Sequence, residues 1–169
     1  VTSSATPGLA RLNSAEGPEA ARLLREVCVS GAWIRELVAG RPYPGVAELH
    51  AASDAATARL TPADLDEATA GHPPIGRPTP GDPTSAREQG GVREEDRAEL
   101  LALNLAYQER HGHVFLICAT GRTGEQMLAA LKERISHDPQ TEREILRDEL
   151  GKINRIRLAR LVERGEETR

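Results

Sequence analysis

The sequence predicts an all-α fold: a single-domain helical bundle with one irregular apolar segment in its core. Three observations point to it. Apolar residues recur at spacings of three and four along most of the 169-residue chain, the period of one helix face. Helix-start signals open several of those stretches, as in Thr61-Pro62-Ala63-Asp64 and Asp138-Pro139. No pair of alternating strands and no internal repeat interrupts the pattern.

The elements follow in order. Ser14, with Glu16 behind it, reads as the cap of a helix carrying Ala20, Leu23, Leu24 and Val27 on its inner face. Trp33, Ile34, Leu37 and Val38 form a second stripe, and Arg41-Pro42-Tyr43-Pro44-Gly45 is a turn. Val46 to Leu60 is alanine-rich and reads as helix. Thr61 then supplies a cap, Pro62 the pre-set first helical position, and Asp64 a negative charge at the positive end of the helix dipole; Gly71 ends that helix. Residues 72–84, with Pro73, Pro74, Pro78, Pro80 and Pro83, form a long polar loop. Loops of that length are either functional or disordered; His72 at one end and Ser85 at the other favour function. Gly90-Gly91 breaks the short helix that follows or marks a hinge.

From Val92 to Arg110 the pattern is helical, with Leu100, Leu101, Leu103, Leu105, Ala106 and Tyr107 expected inside, and Gly112 stops it. Val114 to Ala119 is the most apolar run; periodicity leaves a buried strand and an irregular core segment both open. Thr123-Gly124-Glu125-Gln126 starts a helix with Met127, Leu128 and Leu131 inside. Asp138-Pro139 starts the last helix, expected to run beyond Leu161. Its stripe of Leu146, Leu150 and Ile153 continues to Arg157, a cation in line with a buried face. One domain over residues 1–169 is expected, with 1–12 and 164–169 flexible.

Composition bounds the function. A net charge of −4 and a pI near 5.8 argue against a nucleic-acid surface, which needs a basic excess. With Trp33, Tyr43, Tyr107 and Phe115 as the only aromatics, the core must be built from Leu, Ile, Val and Ala. Cys28, expected within a helix, and Cys118, in the apolar run, give neither a disulfide framework nor a metal spacing and are expected buried and reduced. Val1 to Asn13 has no apolar signal core, and no apolar run reaches the length of a membrane span, so a cytoplasmic protein without a membrane partner is expected.

The chemistry-bearing residues gather around the proline loop. His72, on the rigid turn His72-Pro73-Pro74-Ile75-Gly76, is a candidate general acid or base; it is equally a loop histidine stacked on prolines. Ser85, Glu88 and Gln89 stand at i, i+3 and i+4, one face of a helix. Glu88 can exchange protons with His72 or orient it, but Ser85-x-x-Glu88 is also a capping box and Gln89 suits solvent. Arg157 either snorkels or points into a polar pocket. His111-Gly-His113 has the form of a metal pair without further ligands in a recognisable place. The Cys118 to Arg122 spacing is too short for a thiol phosphatase loop, and Gly121-Arg-Thr-Gly124 lacks the ending of a nucleotide-binding P-loop.

Taken together, the order and spacing of several segments resemble one family. They are Leu12-Asn13, Trp33, Arg41-Pro42-Tyr43, Asp64-Leu65, His72-Pro73-Pro74-Ile75-Gly76, Ser85-x-x-Glu88-Gln89, Asn104-x-x-Tyr107, Gly112 to Ala119, and Glu149-x-x-Lys152-Ile153-x-x-Ile156-Arg157-Leu158. The family is 2-oxo-4-hydroxy-4-carboxy-5-ureidoimidazoline (OHCU) decarboxylase. The resemblance implies an all-helical homodimer, without metal or organic cofactor, that converts OHCU to (S)-allantoin in uric acid degradation. It implies His72 and Glu88 as the catalytic pair. It implies Pro73, Ser85, Gln89, Arg157 and the backbone of Leu116, Ile117, Cys118, Ala119 and Thr120 as substrate-binding. Two positions depart from the family pattern: His111 stands where Phe is common, and Pro74 where Arg is common. The rival expectations are a helical interaction module that docks through the last helix, and a metal-dependent ureide hydrolase using His111 and His113.

Overall fold

The structure is a computed structural model that describes residues 6–72 and 94–164. The described residues form eight helices and no strand: α1 (Pro7–Ser14), α2 (Gly17–Arg25), α3 (Gly31–Ala39), α4 (Val46–Ala58), α5 (Pro62–Ala70), α6 (Glu94–His111), α7 (Gly124–Arg134) and α8 (Pro139–Glu163). None is long and apolar enough to cross a membrane. The chain divides into two compact units, one of residues 1–68 with 151–169, the other of residues 69–150.

In the first unit the start of the chain differs from expectation. Thr6 caps a helix of its own, its Oγ1 accepting from the Leu9 N–H at 3.3 Å, and Pro7 occupies the first turn. Ser14 is therefore the last residue of α1 rather than the cap of α2, and its hydroxyl donates back to the Arg11 carbonyl. Glu16 takes the cap position of α2 without a side-chain bond, and Pro18 fixes the backbone just inside. Leu9 and Leu12, within the stretch expected to be flexible, are fully buried. Cys28 lies past the end of α2 rather than inside it, buried as expected, and burial raises its thiol pKa.

The buried faces of α1 to α5 present Leu12, Leu24, Trp33, Leu37, Leu49 and Leu65, and the far end of α8 adds Leu158 and Val162. Polar bonds fix the turn after α3. Asn13 pairs in both directions with the Tyr43 main chain, at 2.8 and 2.9 Å. Arg41 donates to the carbonyls of Leu12 and Ala15, groups left orphaned where α1 ends. The Tyr43 hydroxyl donates to the Leu37 carbonyl at 2.7 Å.

Gly8 marks the tightest approach. A Cβ there would sit 2.4 Å from the Leu161 carbonyl oxygen and 2.6 Å from the Val162 backbone. Both are main chain, so neither can swing away. Gly8→Ala is expected to lower stability by about 1–3 kcal/mol, as overpacking does, measured by urea denaturation. A neutral result would show that α1 does not rest on α8 at this point.

In the second unit α6 packs against α7, around Leu100, Tyr107, Phe115, Ile117, Met127, Leu128 and Leu131. The inner face of α6 is narrower than the leucine content suggests: Leu105 is 58% exposed and Ala106 is exposed too. At 3.6 residues per turn Leu105 lies about 140° around the axis from Leu100, so both cannot face one core. The buried line is Leu100, Asn104 and Tyr107, which brings a carboxamide inside. The start signals of α7 and α8 form as expected. Thr123 and Gln126 make a reciprocal capping box, and Asp138 Oδ1 accepts from the Gln140 and Thr141 N–H groups. α8 runs past Leu161, to Glu163.

Candidate functional site

The site is best built from the segment joining α6 to α7. Gly112 (φ 77°) and Gly121 (φ 78°) bracket it, each in the left-handed region that other residues enter only with strain. Between them residues 114–119 are neither helix nor strand, while Phe115, Leu116, Ile117 and Cys118 are buried. Hydrophobicity draws these side chains inward; the bracketing turns stop the backbone from winding into helix. Buried main-chain groups outside a regular ladder still need partners, and two charged side chains supply them. Arg134 donates through NH1 to the Leu116 carbonyl at 2.7 Å. Glu149 Oε2 accepts from the Cys118 N–H at 2.8 Å, and its other oxygen pairs with Arg122 at 3.5 Å. The Ala119 carbonyl accepts from the Arg122 N–H.

Arg134 is itself held by a buried network. Its guanidinium meets both oxygens of Glu142 at 3.0–3.2 Å and lies 4.4 Å from the centre of the Phe115 ring. Glu142, with no exposed surface, also accepts from the Tyr107 hydroxyl and contacts His137 Nδ1 at 3.0 Å. Burial alone would raise the Glu142 carboxyl pKa; hydrogen bonds from Arg134 and Tyr107 outweigh it and hold the group below its ordinary range. The Tyr107 phenol moves the other way, raised by burial and then by its bond to Glu142.

His111 and His113 have main-chain partners here. His111 Nε2 donates to the Ile135 carbonyl at 3.1 Å, and His113 Nδ1 to the Val114 carbonyl at 3.2 Å. Both rings pack on Tyr107, with centroids 4.5 and 5.6 Å away. Among the described residues no three His, Cys, Asp or Glu side chains gather as a metal site would require.

His72 lies two residues beyond the end of α5. Its N–H donates to the Thr69 carbonyl at 3.0 Å, and the residue is only 8% exposed. It belongs to the same compact unit as Leu116–Thr120. Pro73, Ser85, Glu88 and Gln89 lie outside the described residues, as do Pro74 and Gly90-Gly91. Arg157, half-buried on α8, donates to the Val27 carbonyl at 3.3 Å and belongs to the other unit. Arg134 and Glu142 were not singled out by the sequence. Glu142 stands four residues before Leu146, and Glu149 three after it, so both carboxylates share the apolar stripe of α8, as Arg157 does. A charge in line with a buried face was the available signal.

Comparison with known proteins gives the family. The OHCU decarboxylase model matches residues 13–159, and the chain belongs to that family. It is 31% identical over 144 residues to the uric acid degradation bifunctional protein TTL of Arabidopsis thaliana, covering 79% of this chain and 44% of the plant protein. It is 26% identical over 140 residues to the 2-oxo-4-hydroxy-4-carboxy-5-ureidoimidazoline decarboxylase of Haloferax volcanii, covering 79% of this chain and 83% of that protein. A crystal structure of OHCU decarboxylase in the presence of (S)-allantoin superposes with a TM-score of 0.75 at 28% identity, covering 89% of this chain and all of that one. The chain spans less than half the length of the plant protein and 28% of the bifunctional protein PucL of Bacillus subtilis.

Proposed function

We propose that this chain is an OHCU decarboxylase, releasing CO₂ from 2-oxo-4-hydroxy-4-carboxy-5-ureidoimidazoline to leave (S)-allantoin in uric acid degradation. The observation that carries this is the family match over residues 13–159, which takes in His72, Glu88, Leu116–Thr120 and Arg157 and runs through both compact units. We take the two units to work as one catalytic domain, in a cytoplasmic homodimer.

The chemistry asks for few groups. When the bond to CO₂ breaks, its electron pair passes into the adjoining ring system, and the hydroxyl on the same carbon gives up its proton. His72 takes or relays that proton, and Glu88 holds the imidazole in the required tautomer. One of the pair returns a proton to a single face of the ring, which sets the hand of the product. The buried segment ending at Cys118 supplies a low-dielectric wall, where donors act more strongly than in water, and main-chain groups of Leu116–Thr120 read the ring. Ser85 and Gln89 complete the polar contacts, with Pro73 beside them in the substrate-binding set. Arg157 serves best on ring or ureido oxygens through its planar fork. A tight pair with the departing carboxylate would stabilise the ground state and slow the reaction. No metal or organic cofactor takes part.

The test is circular dichroism at an allantoin band, with OHCU generated freshly from urate by urate oxidase and the following hydrolase. Adding the protein should give one enantiomer rapidly, against slow racemic product without it. An unchanged OHCU lifetime would remove the assignment and favour an interaction module. Chelator treatment should leave the rate unchanged; a loss restored by zinc would favour the hydrolase that uses His111 and His113.

A further inference from the structure

We infer that Glu149 is a positioning residue for the substrate-binding backbone, fixing Leu116–Thr120 from the core side; this rests on the decarboxylase reading above. Side-chain and main-chain bonds tie the segment down. The Cys118 N–H goes to Glu149 at 2.8 Å, the Leu116 carbonyl to Arg134 at 2.7 Å, and the Ala119 carbonyl to the Arg122 N–H at 3.0 Å. The Cys118 amide is taken by Glu149, which leaves the Ile117 and Ala119 amides as the donors for a ligand read by this backbone. Their direction is set by the bonds on either side of them.

Glu149 is the member whose chemistry exceeds what folding alone asks. A neutral acceptor would satisfy one amide. A carboxylate makes the shorter, stronger charge-assisted bond, and a carboxylate with 7% exposure needs a compensating cation. Arg122 provides it from the same loop, one residue past Gly121, with its side chain 36% exposed. The pair thus closes a small ring: loop amide to Glu149, Glu149 to Arg122, and Arg122 main chain back to the Ala119 carbonyl. Such a ring fixes the direction of the backbone from Cys118 to Arg122. Positional errors of an ångström are costly in a preorganised site.

The experiment compares Glu149→Ala, Glu149→Gln and Leu150→Ala in steady-state OHCU turnover, with amide hydrogen exchange at Cys118 measured alongside. Leu150 is fully buried next to Glu149 and serves as the stability control. Glu149→Ala should raise KM about tenfold or more, with a smaller change in kcat, because the contact serves ground and transition states alike. Its Cys118 amide should exchange faster. Glu149→Gln, which keeps an acceptor but loses the charge, should fall between it and the unaltered protein, and keeps the test valid if the alanine variant does not fold. Leu150→Ala should lower the melting temperature and leave KM unchanged. An unaltered KM in both Glu149 variants, or an equal rise in Leu150→Ala, would overturn the inference. Absence of turnover in the unaltered protein would instead remove the decarboxylase reading, while Cys118 exchange would still report whether Glu149 holds the loop.

Discussion

His72→Ala is expected to lose turnover by roughly 10²–10⁴-fold, the usual cost of removing a general acid or base, while remaining folded. The residue lies two residues past the end of α5, and alanine keeps the bond from its main-chain N–H to the Thr69 carbonyl. The loss should appear in kcat, since a proton-transfer group acts on the transition state more than on binding. Glu88→Gln should lose a comparable amount, and the double variant little more than the worse single one, because the two act as a unit. Initial rates of allantoin formation, with melting temperature as the control on folding, measure all three. Full activity in His72→Ala would remove the imidazole from the mechanism.

The largest loss of stability is expected at Glu142. Glu142→Gln leaves the Arg134 guanidinium buried without its counter-charge, and breaking one side of a buried pair costs about 3–5 kcal/mol. The sign of the pH dependence follows from the lowered carboxyl pKa. A group lowered in the folded state stabilises at pH above its unfolded value, here an ordinary 4.5. That contribution is lost as pH falls through the folded value. The unaltered protein should therefore weaken below the ordinary glutamate range, and the gap between it and Glu142→Gln should narrow there. Urea denaturation at neutral pH and along an acid series measures both effects. Replacing the pair by Arg134→Met with Glu142→Leu should recover only part of the loss. It removes the unpaired charge but leaves the Leu116 carbonyl and Tyr107 hydroxyl without their partners.

Much of this was legible in the sequence where local chemistry decides. Thr61-Pro62, Thr123 to Gln126 and Asp138-Pro139 each open a helix because a capping side chain acts within four residues, backed by a proline in the first and third and by a reciprocal capping box in the second. The apolar segment after Gly112 was recognisable by its composition, though periodicity could not say that it would be irregular; two left-handed glycines and side-chain partners from distant helices decide that. Two elements misled for physical reasons. Ser14 resembled a cap because its competitor, Thr6-Pro7, starts a helix eight residues earlier. Leu105 resembled core because leucines on two faces of α6 look alike in a list of residues. Of the candidate site, His72 and the buried loop could be named in advance from spacing and family likeness. The bonds that Arg134, Glu142 and Glu149 make could not, because they join residues 8 to 31 apart in sequence; only the place of the two carboxylates on the apolar stripe of α8 was visible.

The central claim is that His72 and the Leu116–Thr120 backbone face one ligand. Titrating isotope-labelled protein with (S)-allantoin, followed by nuclear magnetic resonance, tests it directly. The His72 ring signals and the amide signals of Leu116 to Thr120 should move together on a single saturating curve, with (R)-allantoin weaker. Movement of one set without the other, or of neither at saturating allantoin, would contradict it.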